Sequence, residues 1–188
     1  MVYAILKRTT YRPDRGVAIS ALIGLLLVFT ATPVLALDDP LLSRLEGNWI
    51  GQGMVRIKPT SSPERIYCKI ANELVDEGQV LVQKGRCAIA NNFGSVKGKI
   101  SALGEGRYEG SLKSPQSVGP ATLAGQSADD KIVLSAEFID RLSRRPTLSI
   151  ISLIVGDGDG YRFISNTLNP ESGSHFQTSD IIFKPNRK

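Results

Sequence analysis

Cys68 and Cys87, the two cysteines of this 188-residue chain, are its first candidates for chemistry. Metal binding would need more ligands near by, and redox-active pairs are more often spaced Cys-x-x-Cys. A two-residue turn at Glu77-Gly78 would fold the segment into a hairpin with the two cysteines opposite each other, and a longer loop is the alternative. Facing cysteines lie within the Cα separation that a disulfide tolerates. The spacing therefore predicts a structural disulfide.

His175 is the sole histidine, and its use as a ligand depends on which way it faces. Successive side chains of a strand point to opposite faces. If Ile181 and Phe183 face the core, His175 does too, whereas if Phe176 and Ile182 do, His175 faces solvent. We expect a solvated histidine at the start of a strand.

Two other groups of residues resemble parts of known sites. Ser174, His175 and Asp180 contain the residue types of a hydrolase triad, but no nucleophile elbow accompanies them. The two aspartates of G156-D-G-D-G160 are far short of the six to eight oxygens that calcium takes, so this segment predicts a hairpin turn. Because the sequence has no paired carboxylates and no histidine cluster, we expect a protein without enzymatic activity, metal or cofactor.

The charge pattern does not indicate nucleic-acid binding. The chain has 23 basic and 18 acidic residues, but residues 1–36 hold four of the former and one of the latter. The remainder has a net charge of about +2, whereas nucleic-acid binding needs a concentrated basic face. Arg141, Arg144 and Arg145 cluster in one loop, which indicates either a plain solvated loop or a contact with lipid or polysaccharide phosphates.

Residues 1–36 have the composition of a secretory signal peptide. Four basic residues precede an apolar run that ends in Val34-Leu35-Ala36, a sequence typical of leader-peptidase sites. We expect cleavage after Ala36 and a periplasmic or secreted domain of residues 37–188 without stable membrane insertion. The alternative is an uncleaved N-terminal membrane anchor, since about 20 apolar residues can cross a bilayer.

The chain after residue 37 reads as short strands separated by turn signals. The segment 131–139 is typical, with Ile132, Leu134, Ala136 and Phe138 on one face. About ten such strands follow one another, with turn signals roughly every 8–14 residues. Only residues 39–45 look helical. We predict an all-β fold, a single antiparallel up-and-down β-barrel of about ten strands after a short helical turn.

The stretch L45-E-G-N-W-I-G-Q-G53 contains the sole tryptophan and three glycines. Gly51 and Gly53 lie inside a strand and not between a strand and a helix, which argues against a phosphate-binding loop. Glycines at this spacing let a strand bend sharply or let another backbone approach closely. We expect Trp49 on the same face to plug one end of the barrel.

This first strand resembles that of known barrels. Gly47-x-Trp49 after a short helix resembles the opening of the calycin barrels, the lipocalin and fatty-acid-binding superfamily. The longer Gly47-x-Trp49-x-Gly51-x-Gly53 is similar to the first strand of nitrobindin-type ten-stranded barrels. A second lipocalin motif is missing, and the last strand has Lys184 where a lipocalin would place an arginine against the tryptophan.

The resemblance implies binding of an apolar ligand, or of haem through a histidine late in the chain, here His175. Trp49, Val55, Leu134 and Phe138 lie on apolar strand faces, so we expect them to line a ligand site in the lumen. We therefore predict an exported, non-enzymatic barrel that binds a small apolar molecule. The alternative is an envelope protein-interaction module, or a protease-inhibitor-like protein, that acts through its loops around a filled lumen.

Overall fold

The computed structural model describes residues 38–90, 92–156, 158–169 and 171–187. A short helix, α1 (Pro40–Leu45), precedes ten strands. They are β1 (Gly47–Val55), β2 (Glu64–Val75), β3 (Val80–Ile89), β4 (Asn92–Ala102), β5 (Arg107–Lys113), β6 (Pro120–Ala128), β7 (Lys131–Ile139), β8 (Pro146–Val155), β9 (Tyr161–Leu168) and β10 (His175–Pro185). Each strand pairs antiparallel with the next, and β1 pairs with β10. The ten-stranded up-and-down barrel expected from the sequence is therefore confirmed.

The predicted signal peptide, residues 1–36, and the alternative of an N-terminal anchor lie outside the described residues. Within the described part of the chain, no helix combines the length and the apolar character needed to cross a membrane. The strands that close the barrel all lie within residues 47–185. The barrel has its own hydrophobic core and a closed ladder of strands, so it is a compact unit by itself.

Two glycines of β1 make room for the pairing that closes the barrel. Gly53 lies opposite Ile181 of β10, and a Cβ on Gly53 would lie 2.7 Å from Ile181 Cα and closer still to the carbonyl oxygen of Asp180. The ring of Phe183 covers Gly51, where a Cβ would lie 2.8 Å from the ring's Cδ1. The close approach that glycines at this spacing allow is therefore found where the first and last strands meet.

The helix α1 fills one end of the barrel. The Asp39 carboxylate caps it by accepting hydrogen bonds from Leu41 N at 3.1 Å and Leu42 N at 2.9 Å. Leu42 and Leu45 are fully buried in the barrel's core. The indole N–H of Trp49 donates to Leu45 O at 2.9 Å, so the tryptophan holds the end of the helix against the first strand.

Cys68 and Cys87 lie directly opposite each other on β2 and β3. Their sulfur atoms are 2.02 Å apart, which places the pair at disulfide distance. The connection is a four-residue loop, residues 76–79, and not the two-residue turn at Glu77-Gly78. The longer loop adds one residue on each side of that turn, so the register that aligns the cysteines is unchanged.

We predict that Gly53→Ala destabilises the barrel, because the new methyl group would collide with the backbone of β10, which cannot rotate away. The expected loss is about 1–3 kcal/mol in the free energy of unfolding, measured by urea denaturation. Gly98→Ala is the matched control, since its Cβ would meet its nearest neighbours at 3.5 Å. It should change stability by less than about 1 kcal/mol. Equal losses in both variants would contradict a close approach at Gly53.

Candidate ligand-binding site

The two ends of the barrel differ in what covers them. The closed end carries α1 and the described residues of the connections 76–79, 103–106, 129–130 and 156–160. The mouth carries the described residues of the connections 56–63, 90–91, 114–119, 140–145 and 169–174. At the mouth, the 114–119 loop folds inward. Its Ser117 is buried, and its Pro115 packs on Gly94, where a Cβ would lie 2.9 Å from Pro115 Cβ.

A cavity of about 220 Å³ extends from the mouth into the lumen. Inward-facing side chains of the strands form its apolar wall, including Val55, Ile151, Phe163 and Ile181. Phe93 also lines the cavity and is 75% exposed, so the cavity reaches the protein surface. No lysine, arginine, aspartate, glutamate or histidine of the described chain lines it. Such a wall suits a neutral, largely apolar guest.

The volume of the cavity limits the size of a guest. An apolar cavity of about 150 Å³ holds benzene, whereas drug-sized ligands occupy about 300–1,000 Å³. At about 220 Å³ the cavity suits a molecule of one or two rings, or a short chain. A second cavity of about 40 Å³ lies towards α1 and shares Ile151, Tyr161 and Phe163 with the first.

The four residues predicted to line the site lie at three different depths. Val55 and Phe138 line the larger cavity, and Leu134 lines the smaller one. Trp49 lies behind Tyr161, with its ring edge-on to the tyrosine ring and the two centroids 5.0 Å apart. Trp49 therefore supports the floor of the cavity and does not form its wall.

Tyr161 forms the floor of the larger cavity. Its ring stacks on Phe183 with the centroids 4.5 Å apart. Its hydroxyl is buried beside Asn72, but no described residue meets the geometry of a hydrogen bond to it. Burial raises the pKa of the phenol, and the neighbouring Asn72 only partly offsets this, so the group is a neutral O–H at physiological pH. An unsatisfied buried hydroxyl costs about 1–3 kcal/mol, and a guest that accepts or donates a hydrogen bond would remove that cost.

A chain of hydroxyl groups lies in the wall of the barrel between β8, β9 and β10. Ser149 Oγ lies 2.7 Å from Thr167 Oγ1, which lies 3.1 Å from Thr178 Oγ1. Thr178 Oγ1 in turn lies 3.1 Å from Ser165 Oγ. Ser149 and Ser165 also line the cavity. Each hydroxyl can both donate and accept. Ser149 or Ser165 can therefore form one further hydrogen bond with a polar group of the guest.

A β-bulge in β10 decides which way His175 faces. The pairing of β10 with β9 shifts between Gln177 and Ser179, so the strict alternation of side chains is broken there. Ile181 and Phe183 are buried, yet His175 is exposed, as we expected of a solvated histidine but against the simple register rule. His175 does not line the cavity, so it is not placed to bind haem in the lumen.

The other chemical candidates lie outside the cavity. Asp180 is held by Arg162 through two hydrogen bonds of 2.8 and 2.6 Å, and Arg162 lowers the pKa of its carboxyl group. Asp180 thus belongs to an ion pair on the outer wall and not to a hydrolase triad. Asp159, in the turn after β8, pairs with Arg187. The described residues contain no group of three or more side chains that could hold a metal ion.

Comparison with known proteins supports the fold. No protein-family model matches this sequence, and no curated protein does. The crystal structure of Rv2717c from M. tuberculosis matches with a TM-score of 0.57 at 16% identity, over 80% of this chain and 99% of that chain. The S-type phycobiliprotein lyase CPES from Guillardia theta matches with a TM-score of 0.49 at 14% identity, over 78% of this chain and 91% of that chain. At this identity the likeness to Rv2717c shows the fold alone, a closed β-barrel.

The expectation of a protein without enzymatic activity is contradicted. A protein named as a lyase is among the solved structures that match this barrel. One fold can host enzymes and binding proteins alike, so missing catalytic motifs do not establish a protein without enzymatic activity. The likeness is too distant to assign a reaction to this chain.

Tyr161 and the hydroxyl groups of Ser149, Ser165, Thr167 and Thr178 were not among the site residues predicted from the sequence. Tyr161 and Ser165 lie on the same face of β9, and Ser149 shares a face of β8 with the buried Ile151. Alternation along these strands is a signal that could have found all three. Thr178 could not be found in this way, because it faces inward at the bulge.

We predict that Tyr161→Phe leaves the free energy of unfolding of the ligand-free protein unchanged or raises it by up to about 1 kcal/mol. The substitution keeps the stacked ring and removes a buried hydroxyl that has no partner in the described chain. Urea denaturation of the purified protein measures the difference.

Tyr108→Phe is the matched control. The Tyr108 hydroxyl donates to the Asp39 carboxylate at 3.0 Å, and burial together with Asp39 raises the pKa of the phenol to about 12. Losing this charge-assisted hydrogen bond should cost about 1.5–3 kcal/mol. A similar loss in Tyr161→Phe would show that the Tyr161 hydroxyl is already satisfied.

Proposed function

We propose that the protein binds a small, neutral, largely apolar molecule in the barrel lumen, with a polar group of that molecule hydrogen-bonded to Tyr161. One observation carries this proposal. An uncharged cavity reaches the surface, and the buried phenol of Tyr161 lies at its floor, where the larger and the smaller cavity meet, beside Asn72 but with no well-aligned hydrogen bond to a described residue. Apolar walls with a few convergent polar groups are typical of small-molecule sites.

The polar groups of the cavity define the guest further. The Tyr161 hydroxyl can donate to a carbonyl or hydroxyl at the inner end of the guest, and the apolar wall suits rings or a short chain above it. Ser149 and Ser165 offer a second polar contact on the cavity wall. A charged group on the guest would find no partner in the lumen, and burying it unpaired would be costly. The part of the guest that lies inside the lumen is therefore neutral.

We place this binding activity in an exported compartment. Cys68 and Cys87 at disulfide distance are typical of oxidising compartments such as the periplasm or the extracellular space. The signal-peptide pattern of residues 1–36 supports the same location. In such a compartment an enclosed lumen would shield an apolar molecule from water.

We predict that Ala136→Leu weakens lumen binding at least about tenfold. Ala136 is a small, buried side chain on the cavity wall, and three added carbons would occupy space that the guest needs. Binding is measured by titration with 1-aminonaphthalene, a small neutral fluorophore whose emission rises in apolar surroundings.

Ala124→Leu is the matched control, because Ala124 lies on β6 with its side chain exposed. It should bind the fluorophore like the unaltered protein, and so should His175→Ala. Equal binding by the Ala136 and Ala124 variants would place the fluorophore outside the lumen. No binding by the unaltered protein would show that the lumen does not accept such a guest, and either result would refute the proposal.

A further inference from the structure

Exposed apolar side chains gather at the mouth of the barrel. Five of the exposed large apolar side chains of the described chain belong to it: Ile57, Phe93, Val118, Ile139 and Leu142. Phe93 and Leu142 are the most exposed, at 75% and 63%. Scattered apolar side chains on a protein surface are ordinary, but a contiguous group of them marks a contact surface.

Contacts between the loops join the segments that carry these side chains. Pro115 packs on Gly94, beside Phe93, and the Arg141 guanidinium donates to Ser117 O at 3.0 Å. The 114–119 loop thus bridges the start of β4 and the 140–145 loop. We call the resulting surface the rim patch, formed by Phe93, Val118, Ile139, Arg141, Leu142, Arg144 and Arg145.

The two ends of the barrel carry opposite charge. The described mouth connections contain two acidic residues, Asp140 and Glu171, and five basic ones, Arg56, Lys58, Arg141, Arg144 and Arg145. The closed end consists of residues 38–46, its described connections and residues 186–187. It contains two basic residues, Arg44 and Arg187. It contains nine acidic residues: Asp38, Asp39, Glu46, Asp76, Glu77, Glu105, Asp129, Asp130 and Asp159. A small net charge therefore conceals a strong charge asymmetry along the barrel axis.

The cations of the mouth are available to a partner. None of the five is ion-paired within the described residues. Asp140, the acidic residue nearest in sequence to the arginines, uses its carboxylate to accept the backbone N–H groups of Leu142 and Ser143 at 3.1 and 2.7 Å. Arg144 and Arg145 are exposed. The loop is thus shaped by its own backbone contacts and by the hydrogen bond from Arg141 to Ser117 O, while the guanidinium groups of Arg144 and Arg145 stay free to bind anions.

We propose that the rim patch docks on an anionic lipid surface. Its exposed apolar side chains would enter the headgroup region, and its arginines would contact lipid phosphates. A soluble polyanion would use the cations alone and would leave Phe93 and Leu142 without a role, which favours a lipid surface. The acidic closed end is repelled by the same surface, so the charge asymmetry turns the mouth towards the lipid.

This docking does not depend on lumen binding, and it adds a partner to the proposed function. The cavity opens at the mouth, so docking would bring its opening to the surface of the lipid layer. An apolar guest would then pass between the lipid and the lumen with little exposure to water.

The test is flotation of the barrel unit, residues 37–188, with phosphatidylcholine vesicles that contain or lack phosphatidylglycerol. We expect binding only to the anionic vesicles, with a loss of binding as salt is raised. A double variant, Arg144→Gln with Arg145→Gln, should lower the binding constant about 25-fold, since each basic residue near an anionic surface contributes roughly fivefold. Leu142→Ser should also weaken binding, because it removes an apolar side chain that enters the headgroups.

The charge-matched control is Arg107→Gln with Arg187→Gln, which removes the same charge at or beside the closed end, since Arg107 begins β5 directly after the 103–106 connection. It should bind within about twofold of the unaltered protein. Equal losses in the two double variants, or no binding to anionic vesicles, would overturn the proposal. Binding to dextran sulfate that is insensitive to Leu142→Ser, without vesicle binding, would assign the patch to a soluble polyanion instead. Ala136→Leu should bind vesicles normally, which separates docking from lumen binding.

Discussion

The pairing of β1 with β10 is the constraint on which the rest of the structure depends. An open ten-stranded meander would leave two unpaired edges and would enclose no volume. Gly53 allows the backbones of the two strands to meet, and Gly51 leaves room for the ring of Phe183 inside. Once the ladder is closed, α1 and Trp49 fill one end, and the cavity reaches the surface at the other.

Closure also separates three chemical environments. Alternation along the strands keeps charged side chains out of the cavity wall, where Tyr161 supplies a buried hydrogen-bonding group. The connections at the mouth are basic and partly apolar, and those at the closed end are acidic. The enclosed volume thus selects a guest by size and by one or two hydrogen bonds, while the charge of the two ends governs what the protein approaches.

The sequence predicted the fold better than the site, for physical reasons. Strand alternation and turn residues defined ten strands, and the register of Cys68 with Cys87 survived an error in loop length. Trp49 and Tyr161 both alternate inward, but only side-chain packing decides that one supports the floor and the other forms it. The register rule fails for His175 because one extra residue at the bulge in β10 reverses the face to which the preceding side chains point. Cavity volume depends on packing across the barrel, which no single strand pattern contains.

Native mass spectrometry of the protein isolated from the cells that make it tests the central claim, a lumen that holds a small molecule, most directly. The account predicts a species heavier than the bare chain by the mass of one small neutral molecule, released on denaturation. Ala136→Leu, isolated in the same way, should lack that species, because its lumen is partly filled. A bare chain mass for the unaltered protein, or the same bound molecule on both proteins, would contradict a ligand-binding lumen.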